Sequence, residues 1–140
     1  MEKRVSARAI IIEDGKLLTM FRRKKKEDGS YQEYYAIPGG GLEENETLKE
    51  NVIREIKEEL NIDIEILGYL GHKEDYTSIT YFFHCKRIHG EPKLGGPELK
   101  RSNVDNYYEI RYVNLDEIDN INIFYRDIIK KSQNFEYVPY

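Results

Sequence analysis

One stretch, GGLEENETLKENVIREIKEELNI from Gly40 to Ile62, limits what this chain can become more than any other. It opens on glycines and runs into a segment carrying Arg54, Glu55, Glu58 and Glu59. Thr47 followed three residues later by Glu50 is a capping box, so a helix is expected to begin at Thr47. Leu48, Val52, Ile53, Ile56 and Leu60 recur at three- and four-residue spacing and form one apolar stripe for a core. Glu55, Glu58 and Glu59 stand at i, i+3 and i+4, neighbours on a different face. Like charges so placed oppose helix formation unless something offsets them. Hard divalent cations take oxygen ligands of this kind.

The spacing is more specific than the acidic cluster. It runs Gly40, five residues, Glu46, seven residues, then Arg54-Glu55-Ile56-x-Glu58-Glu59-x-x-Ile62. This pattern closely resembles the signature of the Nudix hydrolases and matches it at every fixed position except the late glycine, which is Asn61 here. That position follows the helix, where the chain turns through the left-handed conformation. Asparagine is among the best-tolerated alternatives to glycine there, because its short polar side chain can bond locally, so a positive φ is expected at Asn61.

The resemblance implies an α/β/α sandwich with a mixed β-sheet over residues 1–132, followed by an aromatic tail over 133–140 (Phe135, Tyr137, Tyr140). It implies hydrolysis of a pyrophosphate bond in a nucleoside diphosphate derivative, assisted by Mg²⁺ or Mn²⁺. Glu55 and Glu59 match the usual metal ligands, with Glu58 as a third and the carbonyl of Gly39 as a backbone ligand. Glu58, Glu59 or a later carboxylate would act as general base. Glu98, Asp105 and Glu109 are the candidates for the later acid, and Glu109 is preferred. Arg54 and Glu46 match the pair expected to hold helix and loop in register.

With 140 residues the chain is long enough for one domain with a real core. Its 22 basic and 26 acidic residues leave a net charge of -4, which argues against nucleic-acid binding through a global field. The single Cys85 cannot form an internal disulfide. No apolar run approaches membrane-spanning length, and no apolar signal region follows Met1-Glu2-Lys3-Arg4. The expectation is therefore a cytoplasmic protein with a small nucleotide substrate, no membrane or stable nucleic-acid partner, and a homodimer among the assemblies open to it.

Along the chain, Arg4 to Ile12 and Leu17 to Arg23 form a hairpin around Asp14-Gly15. The run Arg22-Arg23-Lys24-Lys25-Lys26 has two readings: a solvated strand end, or a phosphate contact from Arg22 or Arg23, whose guanidinium fork matches phosphate oxygens. Tyr34 to Ile37 is a short strand ended by Pro38, and Gly39-Gly40-Gly41 lets the backbone turn sharply. Ile62 to Leu70 alternates as a strand, and His72 to Thr77 is a polar loop. Ser78 to Ile88 is a strand with Ile79, Tyr81, Phe83 and Cys85 on one face and Thr80, Phe82 and His84 on the other. The three histidines lack zinc-ligand spacing, with His72 a minor candidate for substrate contact. Gly90 to Asn106 is a long loop, Tyr107 to Val113 a strand, and Phe124 to Lys131 a second amphipathic helix. Tyr31, Tyr34, Tyr35, Tyr76, Tyr81 and Tyr107 could stack a base. An oxidised or ordinary nucleoside triphosphate is the first substrate expected, ahead of ADP-ribose, other sugar nucleotides and dinucleoside polyphosphates. The alternative is a nucleotide-sensing module of the same fold that does not cut, which the intact set of carboxylates argues against.

Overall fold

The structure is a computed structural model, and it describes residues 2–96 and 103–140. The strands are β1 (Arg4–Glu13), β2 (Lys16–Lys25), β3 (Tyr31–Ala36), β4 (Gly39–Gly41), β5 (Asp63–Glu74), β6 (Ser78–His89) and β7 (Asn106–Asn114). The helices are α1 (Leu48–Leu60) and α2 (Arg126–Gln133), with a 3-10 turn over Leu115–Asn120.

The sheet is mixed. β1 runs parallel to β6 from Arg4↔Ser78 to Ile11↔Cys85, while β5 pairs antiparallel on the far side of β6. β2 lies between β7 and β3, both antiparallel to it. β1 and β2 pair only next to their turn, at Ile12↔Leu17 and Glu13↔Lys16. Beyond that point they part. β4 takes the freed edge of β1 (Ser6↔Gly41 to Arg8↔Gly39), and β3 takes the freed edge of β2. The corner between β3 and β4 sits at this split, where the Ala9 amide donates to the Pro38 carbonyl at 2.9 Å.

Strand alternation gives each face its own core. Ala7, Ala9, Ile11, Phe83 and Cys85 meet Val52, Ile56 and Leu60 of α1. Ile10, Leu17, Phe82 and Val113 meet Ile128 and Ile129 of α2. The result is the expected α/β sandwich with one helix on each face of a mixed sheet. Both faces of β6 carry the residues assigned to them by alternation. Val52, Ile56 and Leu60 are fully buried, and each contributes about 1.5–3 kcal/mol of hydrophobic stabilisation. Truncating Ile56 to alanine would cost about 2–5 kcal/mol.

Several local expectations shift. Ile53 leaves the core stripe and is exposed. β3 starts at Tyr31, and β5 continues through His72–Glu74, where a polar loop is expected, because β6 pairs it as far as Glu74↔Ile79. α2 starts at Arg126 rather than Phe124, because Tyr125 before it adopts a left-handed φ of 69°. Residues 133–140 fold back over β5. The Val138 amide donates to the Tyr69 carbonyl at 2.9 Å, and the Tyr137 ring covers Gly68, where a Cβ would lie 2.4 Å from that ring. Among the described residues no helix is long and apolar enough to cross a membrane.

Candidate active site

The acidic helix is placed by local chemistry. Thr47 caps it: its Oγ1 accepts from the Glu50 amide at 3.1 Å, and the Glu50 carboxylate accepts from the Thr47 amide at 2.9 Å. At the other end Asn61 takes φ 59° and ψ 32°, the left-handed geometry expected where the family has glycine. The helix exit is tight, since a Cβ at Gly90 would sit 2.8 Å from the Asn61 carbonyl oxygen.

Two side chains lock the glycine strand onto this helix. Fully buried Asn51 donates from Nδ2 to the carbonyls of Gly40 (3.2 Å) and Gly41 (3.1 Å). Arg54 grips Glu46 through Nε (2.6 Å) and Nη2 (2.9 Å), and Nη2 also reaches the Gly41 carbonyl at 2.9 Å. This bond to Arg54 holds the Glu46 carboxyl below its ordinary range, and Glu46 in turn pushes the guanidinium further up. Both side chains are mostly buried, so removing one partner would cost about 1.5–3 kcal/mol. Arg54 and Glu46 thus join loop to helix as expected. Asn51 was not singled out from the sequence, because an asparagine inside a helix carries no distinctive signal.

Glu55, Glu58 and Glu59 line one wall of a cavity of about 520 Å³ that opens at the split between β1 and β2. Glu59 is buried and accepts from the Gly39 amide at 3.3 Å, which places the glycine turn against the acidic cluster. A Cβ on Gly40 would sit 2.4 Å from Cδ and Oε2 of Glu55, so glycine is required for this carboxylate to lie against the backbone. Arg54 Nη1 also touches Glu55 Oε1 (3.0 Å) and Glu58 Oε2 (3.3 Å). In this arrangement no three acidic, histidine or cysteine side chains among the described residues converge closely enough to cage an ion. The donors on this wall are all oxygen, and the Gly40 backbone leaves room for the Glu55 carboxylate. Their chemistry fits a hard divalent cation, which Glu55, Glu58 and Glu59 would hold.

The same cavity is also lined by basic and aromatic residues. Arg22 donates to Tyr34 Oη (2.9 Å), Asn106 Oδ1 (3.1 Å) and Tyr108 Oη (2.6 Å), with its guanidinium 4.3 Å from the Tyr108 ring centre. Its buried Nε has no partner, and it makes no ion pair among the described residues. Arg4 and Arg8 line the same cavity. They escaped the sequence reading because the cavity exists only where β1 and β2 part. Of the six tyrosines considered for stacking, Tyr34 and Tyr35 line the cavity, joined by Tyr108, Phe124 and Tyr125.

Some expected site residues lie elsewhere. β2 pairs Arg22 with Tyr108 and Phe21 with Glu109, so alternation turns Arg23 and Glu109 to the face away from Arg22. The Arg23 guanidinium lies 5.2 Å from the Tyr107 ring centre and 5.6 Å from that of Tyr31, not in the cavity. Glu109 is held by Arg111 (2.8 Å) and by the Tyr107 hydroxyl, and the bond to Arg111 keeps its carboxyl below the usual range. It does not reach the cluster. Asp105 is exposed and sits 3.9 Å from Lys25. Glu98 lies outside the described residues. His72 is exposed against Tyr81, and buried His84 meets the Tyr137 hydroxyl at 2.8 Å; neither lines the cavity.

Comparison with known proteins agrees with this geometry. Residues 2–132 match the model of the NUDIX domain family. An ADP-ribose pyrophosphatase of Methanocaldococcus jannaschii is 29% identical over 135 residues, covering 90% of this chain and 70% of that protein. An RNA pyrophosphohydrolase of Hydrogenovibrio crunogenus is 34% identical over 62 residues, 44% of this chain, and the match spans only 38% of that relative's length. Among solved structures, a NUDIX hydrolase from Nitrosomonas europaea superposes with a TM-score of 0.69 at 16% identity, covering 99% of this chain and 97% of the other. At that identity the superposition speaks for the fold alone. With the family match spanning nearly the whole sequence and the acidic helix set on the cavity wall, the chain belongs to the Nudix hydrolase family.

Proposed function

We propose that this protein hydrolyses a pyrophosphate bond in a nucleoside diphosphate derivative, with Mg²⁺ or Mn²⁺ held by Glu55, Glu58, Glu59 and the Gly39 carbonyl. The observation that carries this reading is one cavity lined by both kinds of charge: three carboxylates on a rigid helix, and the arginines Arg4, Arg8 and Arg22. A diphosphate is the group that needs both. Its oxygens take guanidinium donors directly, and its charge repels an attacking water unless cations lie close by. A divalent cation bound there would neutralise that charge and lower the pKa of water.

The protein's own groups divide the remaining work. Arg22, preset by two tyrosines and an asparagine, orients the phosphate without having to be ordered on binding. Asn51 and Arg54 keep the glycine strand in register with α1. Of the three glutamates, Glu58 has a half-exposed side chain, whereas that of Glu55 is mostly buried. Glu58 is therefore assigned as the base that takes a proton from the attacking water as the new P–O bond forms and the bridging P–O bond breaks. This gives the helix the role expected of a later acid, since Glu109 faces away.

ADP-ribose leads the candidate substrates, ahead of the nucleoside triphosphate that the sequence alone favours. Its support is the M. jannaschii relative, which bears that substrate's name and aligns with 90% of this chain. The test is turnover of ADP-ribose, the nucleoside triphosphates and dinucleoside polyphosphates with Mg²⁺, Mn²⁺ or EDTA. Release of AMP and ribose 5-phosphate from ADP-ribose only when a divalent ion is present would support the reading. Binding without turnover across the whole panel would favour a sensing module instead.

A further inference from the structure

The cavity has a second end that the diphosphate does not explain. Its volume of about 520 Å³ is that of a site for a whole small-molecule ligand. Its lining also includes Tyr35, Phe124 and Tyr125, and Tyr35 and Tyr125 pack on the core beneath α2, on the sheet face away from the α1 helix that carries the glutamates. Phe124 is 67% exposed, while Ile123 beside it is buried in the core. An exposed phenyl ring on a cavity wall offers a flat apolar face to whatever enters.

The support of that ring is rigid. The Tyr35 amide donates to the Asn122 carbonyl at 2.9 Å, and Asn122 Nδ2 donates to the Glu33 carbonyl at 3.0 Å, so β3 pins the segment on one side. Arg126 pins the other side, bonding the carbonyls of Ile118 (3.0 Å) and Ile121 (2.7 Å). Tyr125 holds a left-handed φ of 69°, which a bulky side chain rarely adopts, and its ring packs 4.7 Å from that of Phe82. The turn presenting Phe124 is thus specified by its neighbours, and stacking on it requires little further ordering.

We propose that Phe124 is the platform on which the nucleobase of the substrate stacks, making it a specificity-determining residue. The inference rests on the reading of the acidic and arginine-lined end as the diphosphate site. Phosphates held there direct the rest of a nucleotide along the cavity, and a planar base is the part of a nucleotide that gains from a phenyl face.

The experiment is an NMR titration of the whole chain in EDTA with AMP and, separately, ribose 5-phosphate, which needs neither metal nor turnover. The parent should bind AMP about 10-fold or more tightly than ribose 5-phosphate. Phe124→Ala should remove most of that difference while leaving the affinity for ribose 5-phosphate unchanged, and Phe124→Trp should preserve it. A preference for AMP that survives Phe124→Ala, or a parent that does not distinguish the two ligands, overturns the proposal. Failure of the hydrolase reading looks different: the AMP preference would persist and depend on Phe124, yet no diphosphate would be cut with Mg²⁺ or Mn²⁺.

Discussion

Alanine at each of the three consecutive glycines should give a different phenotype, because the added Cβ meets a different neighbour each time. At Gly40 it would lie 2.4 Å from Cδ and Oε2 of Glu55, where ordinary contact begins at 3.4 Å. The obstacle is the far end of a flexible side chain rather than backbone, and Gly40 is not among the positive-φ residues. The carboxylate can therefore swing away by about 1 Å, a misplacement that can cost about 10²-fold in rate. The fold should survive with stability changed by about 1 kcal/mol or less, since alanine also restricts the unfolded chain. At Gly41 the nearest atoms are Arg4 Nη2 and Nε at 3.7 and 3.8 Å, so Gly41→Ala should leave both rate and stability near the parent. At Gly39, with φ 151°, the Cβ would fall 2.2 Å from the Ala7 carbonyl oxygen and 2.6 Å from Arg8 Cα. Backbone cannot swing aside, so Gly39→Ala should cost about 3 kcal/mol or more. Urea denaturation and kcat on the best substrate check all three. Parental kcat in Gly40→Ala, or a loss of stability there equal to that in Gly39→Ala, would refute the placing of Glu55 against the Gly40 backbone.

Arg22→Ala should raise KM by about 10-fold or more, and Arg22→Lys should not restore it, because an ammonium cannot reproduce the fork; steady-state kinetics of the three proteins decide this. Asn61→Gly should change stability by about 1 kcal/mol or less in urea, whereas Asn61→Val should cost about 1–2 kcal/mol, since a β-branched residue resists the left-handed conformation seen at that position. Burial lowers the pKa of His84 below its ordinary 6.5, so the neutral imidazole at Tyr137 contributes stability that is fully present above pH 6.5 and is lost as pH falls through the lower folded value. Unfolding free energies from urea titrations between pH 7.5 and pH 5 should fall by up to about 1.4 kcal/mol per pH unit in the parent, with a shallower slope in His84→Gln.

How much of this was legible in the sequence depended on how local the cause was. The helix, its capping box and the left-handed turn at Asn61 follow from residues within a few positions of one another, and all are found as expected. The facing of Glu55, Glu58 and Glu59 follows from helical spacing alone. Glu109 and Arg23 lie off the cavity for the opposite reason. Which side of a strand faces the site depends on the β2–β7 register, and alternation that puts Arg22 and Tyr108 on the cavity face turns their neighbours away. Arg4 and Arg8 are ordinary strand residues until β1 parts from β2 and opens the cavity beside them. Phe124 was hidden inside an apparent helical pattern that the left-handed Tyr125 interrupts. The aromatic tail gave no sign of its seat, because Tyr137 packs where Gly68 has no side chain, and the absence of a Cβ signals no particular partner.

The central claim is that the carboxylates of α1 perform metal-dependent hydrolysis, and kcat of Glu59→Gln and Glu55→Gln with saturating Mg²⁺, set beside their urea midpoints, tests it most directly. Glutamine keeps the shape and removes the charge. Both variants should lose at least about 10²-fold in kcat while remaining folded, and titration should show weakened metal binding. Folded variants that cut the same diphosphate at the parental rate would contradict the account.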